Sequence, residues 1–167
     1  MSMRRFSLHV VVLAAAVTLT SFAAAAPDAA KQLNLRVGVA ITTKGATIDW
    51  NTSGRGTFVL TPLKTEFLKR DSGTVTVHVN TSSVDGRVWV SDHYEKFKGK
   101  RGSLEIRSRI KWVDAGNGYH RGTGTWKVMH GTGQYAKVTG RGMRSDVWRE
   151  SGLGPWSARR VGLLTLP

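Results

Sequence analysis

Hydrophobic and polar residues alternate along most of the chain beyond its first thirty residues. In one segment Leu104, Ile106, Ser108, Ile110 and Trp112 alternate with four charged residues. A period of two places such sets on opposite faces of a β-strand, one toward a core and one toward water. The same alternation recurs at Leu33, Leu35, Val37, Val39 and Ile41, and again at Val75, Val77 and Val79. The pattern therefore predicts half-buried strands rather than amphipathic helices.

Short turn-forming segments rich in Gly, Asp, Asn and Ser separate these runs, and Asp85-Gly86 is the best candidate for a tight hairpin. The predicted strands are 33–42, 56–61, 73–80, 86–98, 102–113, 119–130, 134–141 and 157–166, with a weaker one at 144–149. No helical segment follows that could cover a sheet. An all-β fold is predicted, a single closed antiparallel β-barrel of about eight strands, because closure removes exposed strand edges. A β-sandwich is the alternative.

The N-terminus has the order of a secretory signal peptide: Arg4 and Arg5, an apolar run at 8–19, and small residues before Pro27. We expect cleavage after Ala25, so that 1–25 is the signal peptide and 26–167 the single barrel domain. The protein is thus predicted to be secreted or to reside in the periplasm or cell envelope. No later stretch approaches the roughly 20 apolar residues of a transmembrane helix, so no span is expected after cleavage.

A pattern of glycines and aromatic residues between Phe97 and Gly142 resembles a known group. It comprises the segments Phe97-Lys98-Gly99-Lys100-Arg101-Gly102-Ser103-Leu104, Gly122-Thr123-Gly124-Thr125-Trp126-Lys127-Val128 and Gly131-Thr132-Gly133-Gln134-Tyr135-Ala136. These resemble small bacterial proteins of the allene oxide cyclase and dirigent barrel-like group. The resemblance implies an eight-stranded antiparallel barrel whose interior can hold an apolar small molecule.

One strand carries candidate catalytic residues. His93, Glu95 and Phe97 share a face, so that His93 and Glu95 point into the barrel if Phe97 does. A histidine beside a carboxylate in an apolar lumen is suited to act as a general base, as an isomerase or cyclase of the allene oxide cyclase type would require. The alternative is that both residues lie at the rim of the barrel and are solvated.

The chain has six tryptophans, and our leading hypothesis is a barrel that binds a small apolar or amphipathic molecule. Alternation favours Trp112 and Trp126, with Phe97, as ligand contacts in the lumen; the alternative is that these rings only fill the core. The histidines lack a compact metal-ligand spacing and the chain lacks cysteine. No metal or cofactor is therefore predicted. Hydrolase motifs are also absent from the sequence.

Basic residues dominate the charge. The full chain carries 25 Lys and Arg against 11 Asp and Glu, and loss of Arg4 and Arg5 leaves a net charge of about +12. Seven of the cations are predicted to form one basic surface: Lys96, Lys98, Lys100, Arg101, Arg107, Arg109 and Lys111. This surface suits an anionic polymer of the cell envelope, although outward cations also protect strand edges. No aromatic residue interleaves with them, so specific nucleic-acid recognition is not expected.

Overall fold

The computed structural model describes residues 34–49, 53–85, 88–149 and 155–167. Three sequence predictions fall outside these ranges. They are the signal peptide at 1–25, the inward position of Leu33 and the turn at Gly86. Of the six tryptophans, Trp50 also lies outside the described residues.

Eight antiparallel strands form one closed barrel in which each strand pairs with its neighbours in the sequence and β8 pairs with β1. This confirms the predicted closed barrel and rejects the sandwich. The strands are β1 (Leu35–Asp49), β2 (Ser53–Leu63), β3 (Asp71–Asp85), β4 (Val88–Gly99), β5 (Gly102–Asp114), β6 (Tyr119–Gly131), β7 (Thr139–Arg149) and β8 (Pro155–Leu166).

The largest difference from the predicted strands lies between β6 and β7. The predicted strands 134–141 and 144–149 are replaced by a short 3-10 turn, Gly133–Tyr135, and by the single strand β7. Gly133 adopts a φ of +60°, a left-handed conformation that glycine tolerates in a turn, whereas Gly131 does not have a positive φ. Gly131 is required for another reason, because a Cβ at this position would lie 2.1 Å from the carbonyl oxygen of Tyr135.

The lumen has three levels. One end is packed with aliphatic and aromatic side chains, the middle holds charged and polar groups, and the other end is lined by tryptophans. Strand alternation generates this order, because every second residue of each strand points inward. Along β4, for example, Trp89 lies at the tryptophan-lined end, Glu95 in the middle and Phe97 in the apolar level. We call the end lined by tryptophans the aromatic end, and the opposite end, packed with aliphatic and aromatic side chains, the closed end.

The closed end is sealed by side chains from its loops. Leu68, Tyr135 and Val138 are buried there and belong to the hydrophobic core. The carboxylate of Asp71 accepts hydrogen bonds from the backbone amides of Lys100 (3.0 Å) and Arg101 (3.3 Å), and from the hydroxyl of Tyr135 (3.0 Å). Asp71 thereby ties the β4–β5 turn and the β6–β7 loop to the start of β3.

Glycines on β7 and β8 make room for the ring of Trp126. A Cβ at Gly142 would lie 2.8 Å from the indole nitrogen of Trp126, and one at Gly162 would lie 2.5 Å from its six-membered ring. The indole nitrogen donates a hydrogen bond to the carbonyl oxygen of Met143 at 3.0 Å. Trp126 is thus a packed core residue, fixed on both strands.

Candidate functional site

Glu95 lies at the centre of a polar network in the middle of the lumen. Its side chain is fully buried, and both of its oxygens accept hydrogen bonds from arginines. Arg144 donates to Oε2 at 2.8 Å, and Arg160 donates to Oε2 at 3.0 Å and also to Oε1. Ser108 donates to Oε2 at 3.2 Å. These four groups come from β4, β5, β7 and β8, so the network connects strands on several sides of the barrel.

Arg144 joins Glu95 to a second carboxylate. Its Nε and Nη2 donate to the two oxygens of Asp146, each at 2.6 Å, in a bidentate pair. Nη2 also lies 3.3 Å from Nδ1 of His93. Arg160, on the next strand, donates to Thr43 at 3.2 Å and lies over the ring of Phe97 at 5.3 Å. Both guanidinium groups therefore have several partners, as buried charges require.

The network is close to electrically neutral, because two arginines face two carboxylates. Burial alone raises the pKa of Glu95, but the charges of Arg144 and Arg160 outweigh it, and the pKa is lowered from 4.5. The pKa of Arg144 is raised, because Asp146 and Glu95 overcome the effect of burial. Burial, and then repulsion from Arg144, lowers the pKa of Arg160. Its guanidinium nevertheless stays protonated, as arginines do in proteins.

His93 is held as a neutral imidazole. Burial is the main reason that its pKa lies well below 6.5, and the positive charges of Arg144 and Arg160 lower it further. A guanidinium can only donate, so Nδ1 of His93 must accept from Arg144. The proton of the neutral ring then lies on Nε2, which is 2.9 Å from Oγ of Ser91. His93 therefore donates to Ser91.

Ser91 is left with one proton to donate. Its oxygen accepts from His93 and from the indole nitrogen of Trp112, the latter at 2.8 Å. These two bonds use both lone pairs of the hydroxyl oxygen. Within the described part of the chain, no protein acceptor is found for the hydroxyl proton. Because Ser91 lines the pocket described next, that proton is available to a molecule bound there.

A pocket at the aromatic end lies directly above this network. Its walls are four tryptophans, Trp89, Trp112, Trp148 and Trp156, together with Val77 and Val79. Trp89 and Trp112 lie nearly parallel, with centroids 6.3 Å apart and an interplanar angle of 13°. The cavity volume is about 40 Å³. That is roughly three times the space one water molecule needs, so only a small group or the edge of one flat ring fits between the tryptophans.

Four polar side chains line the same pocket: Thr81, Ser91, His93 and Asp146. Ser91 offers a hydroxyl proton. Asp146 offers carboxylate oxygens that keep acceptor capacity beyond the bonds from Arg144, since a carboxylate has about four acceptor sites. A donor and an acceptor thus face a slot walled mainly by aromatic and aliphatic side chains, the usual composition of a small-molecule site.

The predicted catalytic and ligand-binding residues divide between two levels of the lumen. His93 and Glu95 both point inward, as their shared face with Phe97 predicted, and neither lies at a solvated rim. Trp112 lines the pocket, but Glu95, Phe97 and Trp126 do not. Phe97 packs edge-on against Phe58, with ring centroids 5.2 Å apart. The two predicted ligand contacts outside the pocket therefore have packing partners of their own.

The predicted basic surface is interrupted by carboxylates. Lys96 pairs with Glu105 at 2.6 Å, and Asp92 lies 3.4 Å from Arg107 and 3.7 Å from Arg109. Lys98, Lys100 and Arg101 lie at the closed end, while Lys111 lies toward the aromatic end of β5. Glu105 and Asp92 thus lie among the seven predicted cations and pair with three of them.

Sequence reasoning missed Arg144, Asp146 and Arg160. The alternation of inward and outward residues along β7 and β8 could have identified them. Arg144 and Asp146 share the inward face of β7 with Trp148, and Arg160 shares the inward face of β8 with Trp156 and Leu164. An isolated arginine usually lies at the surface, since a buried charge needs partners. Those partners come mainly from β4, which is distant in the sequence.

Comparison with known proteins gives no family for this chain. No protein-family model matches it, and no curated protein matches it significantly. Across the described ranges, no helix is long and apolar enough to cross a membrane.

Proposed function

We propose that this protein is an exported binding protein that holds a small planar, largely apolar molecule in the pocket at the aromatic end. The ligand carries a hydrogen-bond acceptor that faces Ser91 and a donor that faces Asp146. One observation carries the proposal: Ser91, whose oxygen accepts from both His93 and Trp112, lines a pocket walled by four tryptophans. Buried polar groups of this kind discriminate strongly against ligands that leave them unpaired.

The polar network supports binding more than proton transfer. Glu95 does not line the pocket, and both of its oxygens bind arginines. Nδ1 of His93 accepts from Arg144 and Nε2 already carries a proton, so neither nitrogen is free to take one. An isomerase using His93 or Glu95 is therefore the less favoured proposal. The network serves instead to fix Ser91 and Asp146 in place beneath the tryptophans.

Native mass spectrometry of the protein from the medium or envelope of its own cells tests the proposal. We expect a fraction of the protein to carry an additional small mass that is released by mild activation. The proposal would be contradicted if the protein showed only its ligand-free mass and also took up no single-ring compound added at millimolar concentration.

A further inference from the structure

The closed end of the barrel exposes a phenylalanine that the fold holds outward. Phe67, in the β2–β3 loop, is 77% exposed, while the adjacent Leu68 is buried and helps to seal the barrel. The backbone amide of Phe67 also donates to the hydroxyl of Thr65 at 3.2 Å. Because Leu68 occupies the core position, Phe67 is displayed on a loop that is anchored at the next residue.

Cations lie at the same end of the barrel as this ring. Three loops meet at the closed end, at 64–70, 100–101 and 132–138. They contribute six basic residues and one acidic residue, Glu66. The cations are Lys64, Lys69, Arg70, Lys100, Arg101 and Lys137, and all are exposed.

Hydrogen bonds hold the three loops together. Arg101 donates through its side-chain Nε to the carbonyl oxygen of Arg70 at 3.2 Å, and Gln134 donates to the carbonyl oxygen of Lys69 at 3.3 Å. The backbone N–H of Gln134 donates to the carbonyl oxygen of Arg101 at 2.8 Å. The cations of the three loops therefore share one end of the barrel with Phe67. The exposed Leu63, at the end of β2, adds a second apolar side chain.

We propose that the closed end docks on an anionic lipid surface, with Phe67 inserted among the headgroups and the six cations facing them. Two observations favour a lipid surface over a soluble anionic polymer. A polymer would pair with the cations but leave Phe67 in water, whereas the interfacial region of a bilayer accepts an aromatic ring and its flanking cations together. In this orientation the aromatic pocket, at the opposite end of the barrel, faces away from the membrane.

Vesicle binding tests the electrostatic part. The predicted mature chain, residues 26–167, is titrated with vesicles of phosphatidylcholine alone and with vesicles that also contain phosphatidylglycerol. We expect preference for the anionic vesicles, reduced about fivefold for each of Lys69→Ala and Arg70→Ala. The hydrogen bonds at these positions use backbone oxygens, so both variants keep them. Lys111→Ala, near the aromatic end, is the matched control and should change the preference less than twofold.

A fluorescent label tests insertion of the ring itself. The chain has no cysteine, so Phe67→Cys provides one site for an environment-sensitive dye. We expect a blue shift and increased emission on anionic vesicles, and no change for the same dye at Thr123→Cys, which is exposed on the wall of β6. Residues 26–167 are used here too, because β1 begins at the closed end and an apolar segment joined to it would itself bring that end to the vesicles.

Any of four results would overturn this proposal. The dye at position 67 remains in an aqueous environment on anionic vesicles; Lys111→Ala weakens binding as much as Lys69→Ala; or heparin binds the protein with the same dependence on Lys69 and Arg70 while the vesicles do not. A dimer that Phe67→Ala dissociates would instead assign the surface to a second copy of the chain. Each result leaves the proposal for the aromatic pocket untouched, because that site lies at the other end.

Discussion

Arg144 places Nη2 3.3 Å from Nδ1 of His93, and this contact determines what the pocket offers to a ligand. The guanidinium can only donate, so the imidazole must accept on Nδ1 and donate on Nε2. Ser91 then accepts from His93 and from Trp112, and turns its own proton to the pocket. The buried Arg144 thus determines, through two successive hydrogen bonds, that the Ser91 hydroxyl acts as a donor toward the pocket.

Removal of the Ser91 hydroxyl should destabilise the protein. In Ser91→Ala the indole N–H of Trp112 and Nε2–H of His93 both lose their acceptor in a buried site. We expect the free energy of unfolding to fall by about 1–3 kcal/mol in urea denaturation. Ser145→Ala, exposed on the outer face of β7, is the control and should be within about 0.5 kcal/mol of the native protein. Equal effects of the two substitutions would contradict the assigned bonds.

Neutralising Glu95 should have a larger effect. Glu95→Gln keeps the size of the side chain but removes the charge that Arg144 and Arg160 share in a fully buried site. Breaking one side of a buried ion pair costs about 3–5 kcal/mol. Glu105→Gln removes an exposed partner of Lys96 and should cost less than about 1 kcal/mol. If chemical denaturation gives similar values for both variants, Glu95 is not the centre of the network.

The folded protein should lose stability as the pH falls below 6.5. The pKa of His93 is lowered in the folded state, so between 6.5 and that lowered value the unfolded chain binds more protons than the folded one. Through His93 the free energy of unfolding changes by at most about 1.4 kcal/mol per pH unit. The pKa of Glu95 is also lowered in the folded state. Its contribution to the free energy of unfolding is therefore present above pH 4.5 and is lost as the pH falls through its folded pKa.

A pair of variants separates the contribution of His93 from the rest. His93→Gln keeps an acceptor for Arg144 and a donor for Ser91 but does not titrate. It should flatten the dependence of the unfolding free energy on pH just below 6.5. Thr76→Gln, exposed on β3, introduces the same amide at the surface and should retain the native profile in this range. An unchanged slope in His93→Gln would show that this imidazole is not held neutral by the fold.

The sequence predicted the barrel and the inward residues of its most regular strands. Alternation was sufficient for β5, and the shared face of His93, Glu95 and Phe97 was predicted correctly because a strand offers only two faces. The polar network could not be predicted in the same way. Burial of Arg144 and Arg160 is favourable only when the carboxylates of Glu95 and Asp146 compensate their charges. Closure of the barrel brings these partners together.

The choice among tryptophans shows the same limit. Trp112 and Trp126 both point inward, and alternation does not distinguish their depths. Trp112 lies above the ion pairs and lines the pocket, while Trp126 lies below them against Gly142 and Gly162. Depth in the lumen depends on the stagger between paired strands, which is a property of the closed sheet.

Calorimetric titration with three single-ring probes tests the central claim most directly. Benzamide carries an acceptor for Ser91 and a donor for Asp146, toluene has the ring alone, and benzoate replaces the donor with a negative charge beside Asp146. We predict that benzamide binds about tenfold more tightly than toluene, that benzoate binds weakest, and that Ser91→Ala removes most of the advantage of benzamide. Equal affinity for all three probes, or tightest binding of benzoate, would contradict the proposed site.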